Sequence, residues 1–246
     1  MHGKQFKMNV NELKDLAVAA ARQAGSFLNK NKLEEKEIHE EEGQDIKLII
    51  DQDTEKLIRS SLMGTNIPIL GEEYGGAISE EKYWVIDPID GTANYFRGLD
   101  ECCVSIALME GEEALIGVIY NFNNDQMYTA IKDHGAFLNN TKISVSDIAS
   151  KSKASITTGF PASETIESSM NFLEDLKGWK KVRMFGSAAL SCAYVASGKC
   201  DYYAEKGVYL WDIAAGICLV KEAGGSVDFK LIDKERYEVV FSNNLL

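Results

Sequence analysis

Trp84-Val85-Ile86-Asp87-Pro88-Ile89-Asp90-Gly91-Thr92 is the stretch on which the reading of the chain turns. Its first residues form an apolar run of the kind that makes a buried strand. The run ends in two carboxylates, Asp87 and Asp90, followed by Gly91 and Thr92. Pro88 fixes its own φ and keeps Asp87 extended. Gly91 permits a tight turn that a Cβ would hinder. Thr92 is a good N-cap residue, so a helix is expected to start there. Two carboxylates held this close repel each other unless a cation or a proton sits between them. Oxygen ligands at a strand end suit a hard cation such as Mg²⁺, and a helix start beside them suits a phosphate. Taken alone, Asp-Pro and Asp-Gly are common turn pairs. A plain turn needs neither the buried run nor both acids, and the metal reading wins if more carboxylates converge from elsewhere.

The chain has 246 residues, enough for one large domain or two packed halves. Its composition, 45% hydrophobic and 26% charged, is that of an ordinary globular protein. A net charge of -12 argues against a nucleic-acid polymer or an anionic membrane as the main partner. An acidic protein still binds phosphate where metals supply positive charge. The five cysteines (Cys102, Cys103, Cys192, Cys200 and Cys218) show no zinc spacing, and their odd number predicts reduced core thiols in a cytoplasmic protein. No stretch reads as a signal peptide or a membrane span. His2, His39 and His134 stand in polar or turn contexts and receive no role.

Upstream of the central stretch, residues 9–30 form an amphipathic helix with Asn9 and Glu12 at capping-box spacing. Residues 34–45 are dense in acids and predict a mobile, solvated segment; an acidic flap beside a metal site is the sharper alternative. A second helix opens at Asp51 and ends at Gly64, with Thr54, Leu57, Ile58 and Leu62 on its apolar face. Ile67–Leu70 reads as a strand running into Gly71-Glu72-Glu73, which repeats the strand, glycine and acid logic of the opening stretch.

Downstream, short apolar runs from Val104 to Val145 alternate with Gly111-Glu112, Asn123-Asn124-Asp125, His134-Gly135 and Asn139-Asn140. These are hairpin signals and predict an antiparallel meander. Polar residues 147–153 read as a link between two halves, 1–146 and 147–246. The second half alternates strands (155–158, 181–185, 201–204, 226–229) with helices (164–177, 188–197, 211–223), which predicts a sheet covered by helices. Asp212 falls at the start of the last helix, where an Asp usually caps. Its neighbours Ala214, Ala215 and Gly216 allow close packing.

Gly71-Glu72-Glu73, Asp87-Pro88-Ile89-Asp90-Gly91-Thr92 and Trp211-Asp212-Ile213-Ala214-Ala215-Gly216, in this order, resemble the inositol monophosphatase family of lithium-sensitive, Mg²⁺-dependent phosphatases. Asp51, with Glu55 and Ile58 after it, is similar to the family's upstream Asp helix. The resemblance extends to Gly224-Gly225. It implies an α+β fold, a layered α-β-α-β-α sandwich, and a homodimer. It also implies two or three Mg²⁺ ions held by Asp51, Glu72, Asp87, the Ile89 carbonyl, Asp90 and Asp212, with Glu73 structural. The family's water-activating pair falls on Glu72 and Thr92, and the Gly91 and Thr92 N–H groups face the phosphate. Gly186, Ser187, Ala188 and Glu205 match alcohol-binding positions, with Ser187 in place of a Thr, and Asp90 is a further hydroxyl contact. Tyr209-Leu210 departs from the animal pattern, and Gly159-Phe160-Pro161 is similar to microbial members.

The chemistry agrees with this. Phosphate ester hydrolysis needs a nucleophile at neutral pH and neutralised phosphoryl oxygens, and bound metals supply both. The chain has no Gly-x-Ser-x-Gly elbow and no phosphate-binding Gly-x-x-x-x-Gly-Lys loop. The expected activity is that of a phosphoric monoester hydrolase acting on inositol monophosphate or a similar small polyol or sugar phosphate. Fructose 1,6-bisphosphate and 3′-phosphoadenosine 5′-phosphate are the alternative substrates. A metal-binding regulatory protein on the same fold is the alternative of another class.

Overall fold

The computed structural model of the chain describes residues 8–32, 38–42, 45–159 and 165–246. Helix α1 (Val10–Asn31) begins with the capping box foreseen: Asn9 Oδ1 accepts the Asn11 and Glu12 N–H groups at 3.0 and 3.1 Å, and Glu12 Oε2 accepts the Asn9 N–H at 2.7 Å. The acid-rich segment, read as mobile and solvated, holds two short strands. Within it, β1 (Ile38–Glu42) and β2 (Asp45–Leu48) pair antiparallel. Backbone pairing joins residues 38–42 to 45–48, where composition alone gives no strand signal, and β2 runs directly into the next helix. Residues 34–37 and 43–44 lie outside the described residues, as do His2, Phe160 and Pro161.

Helix α2 (Ile49–Leu62) starts two residues before Asp51, which therefore sits in its first turn. A 3-10 turn at Met63–Thr65 follows, and Asn66, with φ 56°, takes the left-handed position in place of the Gly64 stop. Then come β3 (Ile69–Gly71), β4 (Lys82–Asp90) and α3 (Thr92–Arg97). The meander is as read: β5 (Cys103–Glu110), β6 (Glu113–Asn121), β7 (Gln126–Ile131), β8 (Gly135–Leu138) and β9 (Thr141–Ile143). The seven strands β3 to β9 lie in sequence order, all antiparallel except the β3–β4 pair. β4 is buried on both faces, which explains its continuous apolar run. Tyr83 and Val85 pack into one core cluster, Trp84 and Ile86 into the other.

The second part runs β10 (Ser155–Thr157), α4 (Ile166–Asp175), β11 (Lys181–Arg183), α5 (Ala188–Ala196), β12 (Tyr202–Tyr209), α6 (Leu210–Glu222), β13 (Ser226–Leu231) and β14 (Arg236–Ser242). α4 is shorter than foreseen, and β12 extends past Ala204 to take in Glu205. β14 was not foreseen. It pairs with both β12 and β13 in a sheet ordered β11-β10-β12-β14-β13, so neighbours on each side supply the stability that its own polar start (Arg236-Tyr237-Glu238) does not advertise.

Helices α1 and α2 cover one face of the seven-stranded sheet, while α5 and α6 pack between its other face and the five-stranded sheet. The β10-to-β11 and β11-to-β12 crossovers join parallel strands and move in opposite directions across the sheet. Right-handed crossovers then place α4 and α5 on opposite faces. α5 is inner, so α4 is the outermost layer, and the α-β-α-β-α sandwich is complete. All five cysteines are buried and unbridged. Among the described residues no helix is long and apolar enough to cross a membrane.

Candidate metal centre

The two aspartates of β4 are three apart, so strict strand alternation would put them on opposite faces. A β-bulge prevents this. Asp87 pairs with Ser105 and Asp90 with Cys103, so three steps along β4 match two along β5. Pro88 sits in the bulge, where its missing N–H costs no ladder bond. The Ile89 N–H turns instead onto Asp87 Oδ1 at 2.9 Å. Asp87 keeps the face of Tyr83 and Val85, and the bulge brings Asp90 round to it. Ile89 is buried with Trp84 and Ile86 on the far side.

On that face Asp90 meets the start of α5. Its carboxylate accepts the Ala188 N–H (Oδ1, 3.2 Å), the Ala189 N–H (Oδ2, 2.9 Å) and the Ser187 hydroxyl. The Cys103 thiol lies 3.7 Å from Oδ2. Ser187 also caps α5, accepting the Leu190 N–H at 3.2 Å. Asp212, in the first turn of α6, accepts the Tyr209 N–H at 2.7 Å, so the capping role foreseen for an Asp there is present. The Ser105 hydroxyl donates to the Trp211 carbonyl at 3.4 Å and ties this corner to β5.

Asp87, Asp90 and Asp212 each present an oxygen within 4.8 Å of the other two. Asp51 and Glu72 stand outside this triplet, and their charges reach it. Burial lifts the Asp87 carboxyl well above its ordinary range, and the carboxylates of Glu72, Asp90, Asp212 and Asp51 push it further. Asp212 is raised by burial, then by Asp90, with Glu72 and Glu205 adding to this. Burial also raises Asp90, although the donors from Ser187, Ala189, Ala188 and Cys103 oppose it. The donor set is all oxygen. Among the described residues no Lys or Arg pairs with Asp87, Asp90 or Asp212. Hard donors with uncompensated charge fit Mg²⁺.

Thr92 corrects the cap expectation. Gly91, with φ 90°, is the cap residue of α3, and Thr92 is its first helical residue. A Cβ on Gly91 would come within 2.8 Å of the Glu101 carbonyl and 3.1 Å of that of Gly186. The Thr92 hydroxyl lies 2.9 Å from the Ile89 carbonyl and 3.5 Å from Asp51 Oδ1. Glu205, on β12, accepts the Tyr203 hydroxyl at 2.9 Å, and burial pushes its carboxyl up to about 7. Ser187 and Ala188 both donate to Asp90. His134 sits in an exposed turn beside the Lys132 carbonyl.

Two side chains singled out by geometry were missed as site residues. The Asn94 amide reaches the carbonyls of Glu101 (2.7 Å), Phe185 (2.7 Å) and Gly186 (3.3 Å), which joins the corner after β4 to the turn before α5. Glu55 is fully buried on the apolar face of α2. An acid among Thr54, Ile58 and Leu62 was the signal available for it.

Fold and site together define a layered sandwich with an all-carboxylate centre where β4 meets the starts of α5 and α6. The chain belongs to the inositol monophosphatase family, whose model matches residues 9–230. It is 39% identical over 238 residues to Nus factor SuhB of Xylella fastidiosa, covering 91% of this chain and 84% of that protein. It is 33% identical to the fructose-1,6-bisphosphatase/inositol-1-monophosphatase of Aquifex aeolicus, covering 88% of this chain and 85% of that protein. The crystal structure of extragenic suppressor protein suhB from Bartonella henselae superposes with a TM-score of 0.88 at 31% identity, over 95% of this chain and 94% of that one.

Proposed function

We propose that the chain is a Mg²⁺-dependent phosphomonoesterase that hydrolyses inositol monophosphate or a similar small polyol or sugar phosphate. One observation carries the reading: Asp87, Asp90 and Asp212 converge with no cationic side chain among the described residues to neutralise them. Asp87, Asp90, Asp212, Glu72, Asp51 and the Ile89 carbonyl would hold two or three Mg²⁺ ions. Bound Mg²⁺ supplies a water of lowered pKa and neutralises phosphoryl charge. Thr92, fixed by the Ile89 carbonyl, orients the attacking water, and Glu72 takes its proton. The water oxygen bonds to phosphorus, the ester P–O bond breaks, and the alcohol leaves with a proton from solvent. The Gly91 and Thr92 N–H groups face the phosphate, and Gly186, Ser187 and Ala188 border the alcohol.

Glu205 favours a hydroxyl-rich leaving group. Its oxygens can accept hydroxyl protons, and its ionised form would repel a second phosphate, which favours a monophosphate over fructose 1,6-bisphosphate and 3′-phosphoadenosine 5′-phosphate. We infer that the halves 1–146 and 147–246 each supply part of this centre and that the chain is a homodimer in the cytoplasm. The second reading is a metal-binding regulatory protein on the same fold, favoured by relatives called Nus factor.

The deciding experiment is phosphate release from inositol 1-phosphate, fructose 1,6-bisphosphate, 3′-phosphoadenosine 5′-phosphate and histidinol phosphate, with Mg²⁺ and with EDTA. Mg²⁺-dependent release from inositol 1-phosphate above the others is expected, with inhibition by Li⁺. No release from any of them by protein that binds Mg²⁺ promotes the regulatory reading.

A further inference from the structure

Glu72 lies half-buried in the turn that follows β3. Gly71 opens the turn and its N–H donates to the Gly75 carbonyl at 3.0 Å. Two side chains of α2 grip that turn from below. Glu55 accepts the Glu73 N–H on Oε2 at 2.7 Å and the Tyr74 N–H on Oε1 at 3.2 Å. Arg59, one helical turn further on, donates from Nη2 to the Gly75 carbonyl at 2.6 Å and from Nη1 to the Ile69 carbonyl at 3.4 Å. Arg59 Nε and Glu55 Oε1 are 2.7 Å apart, so the two clamps brace each other. A Cβ on Gly71 would overlap the Glu55 carboxylate, which shows how closely the acid is seated under the turn.

This arrangement is more than helix packing requires. A fully buried carboxylate is costly unless it is paired and hydrogen-bonded. Here every group that satisfies it, apart from Arg59, is a backbone N–H within two residues of Glu72. The same helix carries Asp51 one turn before Glu55. One rigid element therefore presents a candidate ligand and fixes the loop that presents another. We propose that Glu55, braced by Arg59, is a positioning residue that sets the place of Glu72 in the metal centre. The inference rests on the reading of Glu72 as a metal ligand.

The test is titration calorimetry with MgCl₂, without substrate, on the full chain and on Glu55→Gln. Outer-shell partners of metal ligands typically change affinity by about 10–100-fold, and a weakening of Mg²⁺ binding in that range is expected. Leu62→Ala serves as the control: it empties a buried site at the far end of α2, costs stability by a cavity, and should leave the Mg²⁺ Kd unchanged. Glu55→Gln strands Arg59 without its partner, so Glu55→Gln/Arg59→Gln, which leaves neither charge buried alone, is titrated beside it. A folded Glu55 variant that binds Mg²⁺ like the unmodified chain overturns this inference and leaves the proposed function standing. An unmodified chain that binds no Mg²⁺ overturns both. Loss of the whole fold in both variants also overturns the inference, because the pair would then hold the core and not the turn.

Discussion

Asp90 is held in two ways that pull against each other. Burial favours a neutral group, while Ser187, Ala188 and Ala189 all donate to its oxygens. Asp90→Asn removes the charge and turns an amide NH₂ toward donors. Each effect is of order 1–3 kcal/mol, and they oppose, so the fold should survive while turnover falls below detection; circular dichroism and phosphate release check this together. Glu205 gives a pH-dependent case. Its folded pKa, about 7, lies above its ordinary 4.5 because of burial, with the Asp90 charge adding and the Tyr203 hydroxyl opposing. Asp212 also faces it. A raised carboxyl contributes stability that is full below its unfolded pKa and is lost as pH rises through about 7. At about 1.4 kcal/mol per unit, the loss is roughly 3 kcal/mol by pH 8.5. Glu205→Gln should therefore match the unmodified chain near pH 5 and exceed its stability near pH 8.5, in urea melts with EDTA.

The secondary elements differ in how much of their position is written locally. α1 carries its start signal within four residues, and the Asn9–Glu12 box appears as read. Asn9→Ala should cost about 1 kcal/mol by urea melt and leave phosphate release unchanged, since α1 lies across the seven-stranded sheet from α5 and α6. β4 was legible because both of its faces are buried, and the meander because each hairpin has its own turn residues. Asn139 and Asn140 take φ 46° and 67°, as such a turn demands. β14 was not legible. Its alternation is weak, and it exists because β12 and β13 offer it partners on both sides. The paired strands β1 and β2 were hidden in the same way by a composition that reads as solvated.

The whole molecule brings the acids of β4 and α6, more than a hundred residues apart in the chain, into one buried cluster. A cation that binds only the folded chain stabilises it by mass action. Mg²⁺ at about a hundred times its Kd should add about 2.7 kcal/mol, and for a chain of this size that raises Tm by about 5–10 °C. EDTA should reverse the gain; a Tm indifferent to both would remove the metal reading.

Local chemistry was sufficient to mark candidate ligands, and the resemblance, not the spacing, supplied the full ligand set. Residue types and spacings placed Glu72, Asp87, Asp90, Thr92 and Asp212 at strand ends and helix starts, because capping, turn and burial preferences act within a few residues. Their convergence was not written there. Asp87 and Asp90 share a face only because β4 bulges against β5, and a bulge is a property of two paired strands. Asp212 reaches them because α5 and α6 are packed between two sheets, and Ser187 meets Asp90 beside a turn that Asn94 ties to the corner after β4. Glu55 needed the same assembly before its purpose was visible: a lone acid on an apolar helix face has no meaning until the turn above it is in place. Packing and long-range hydrogen bonds set these distances, and they depend on contacts that no short window of residues contains.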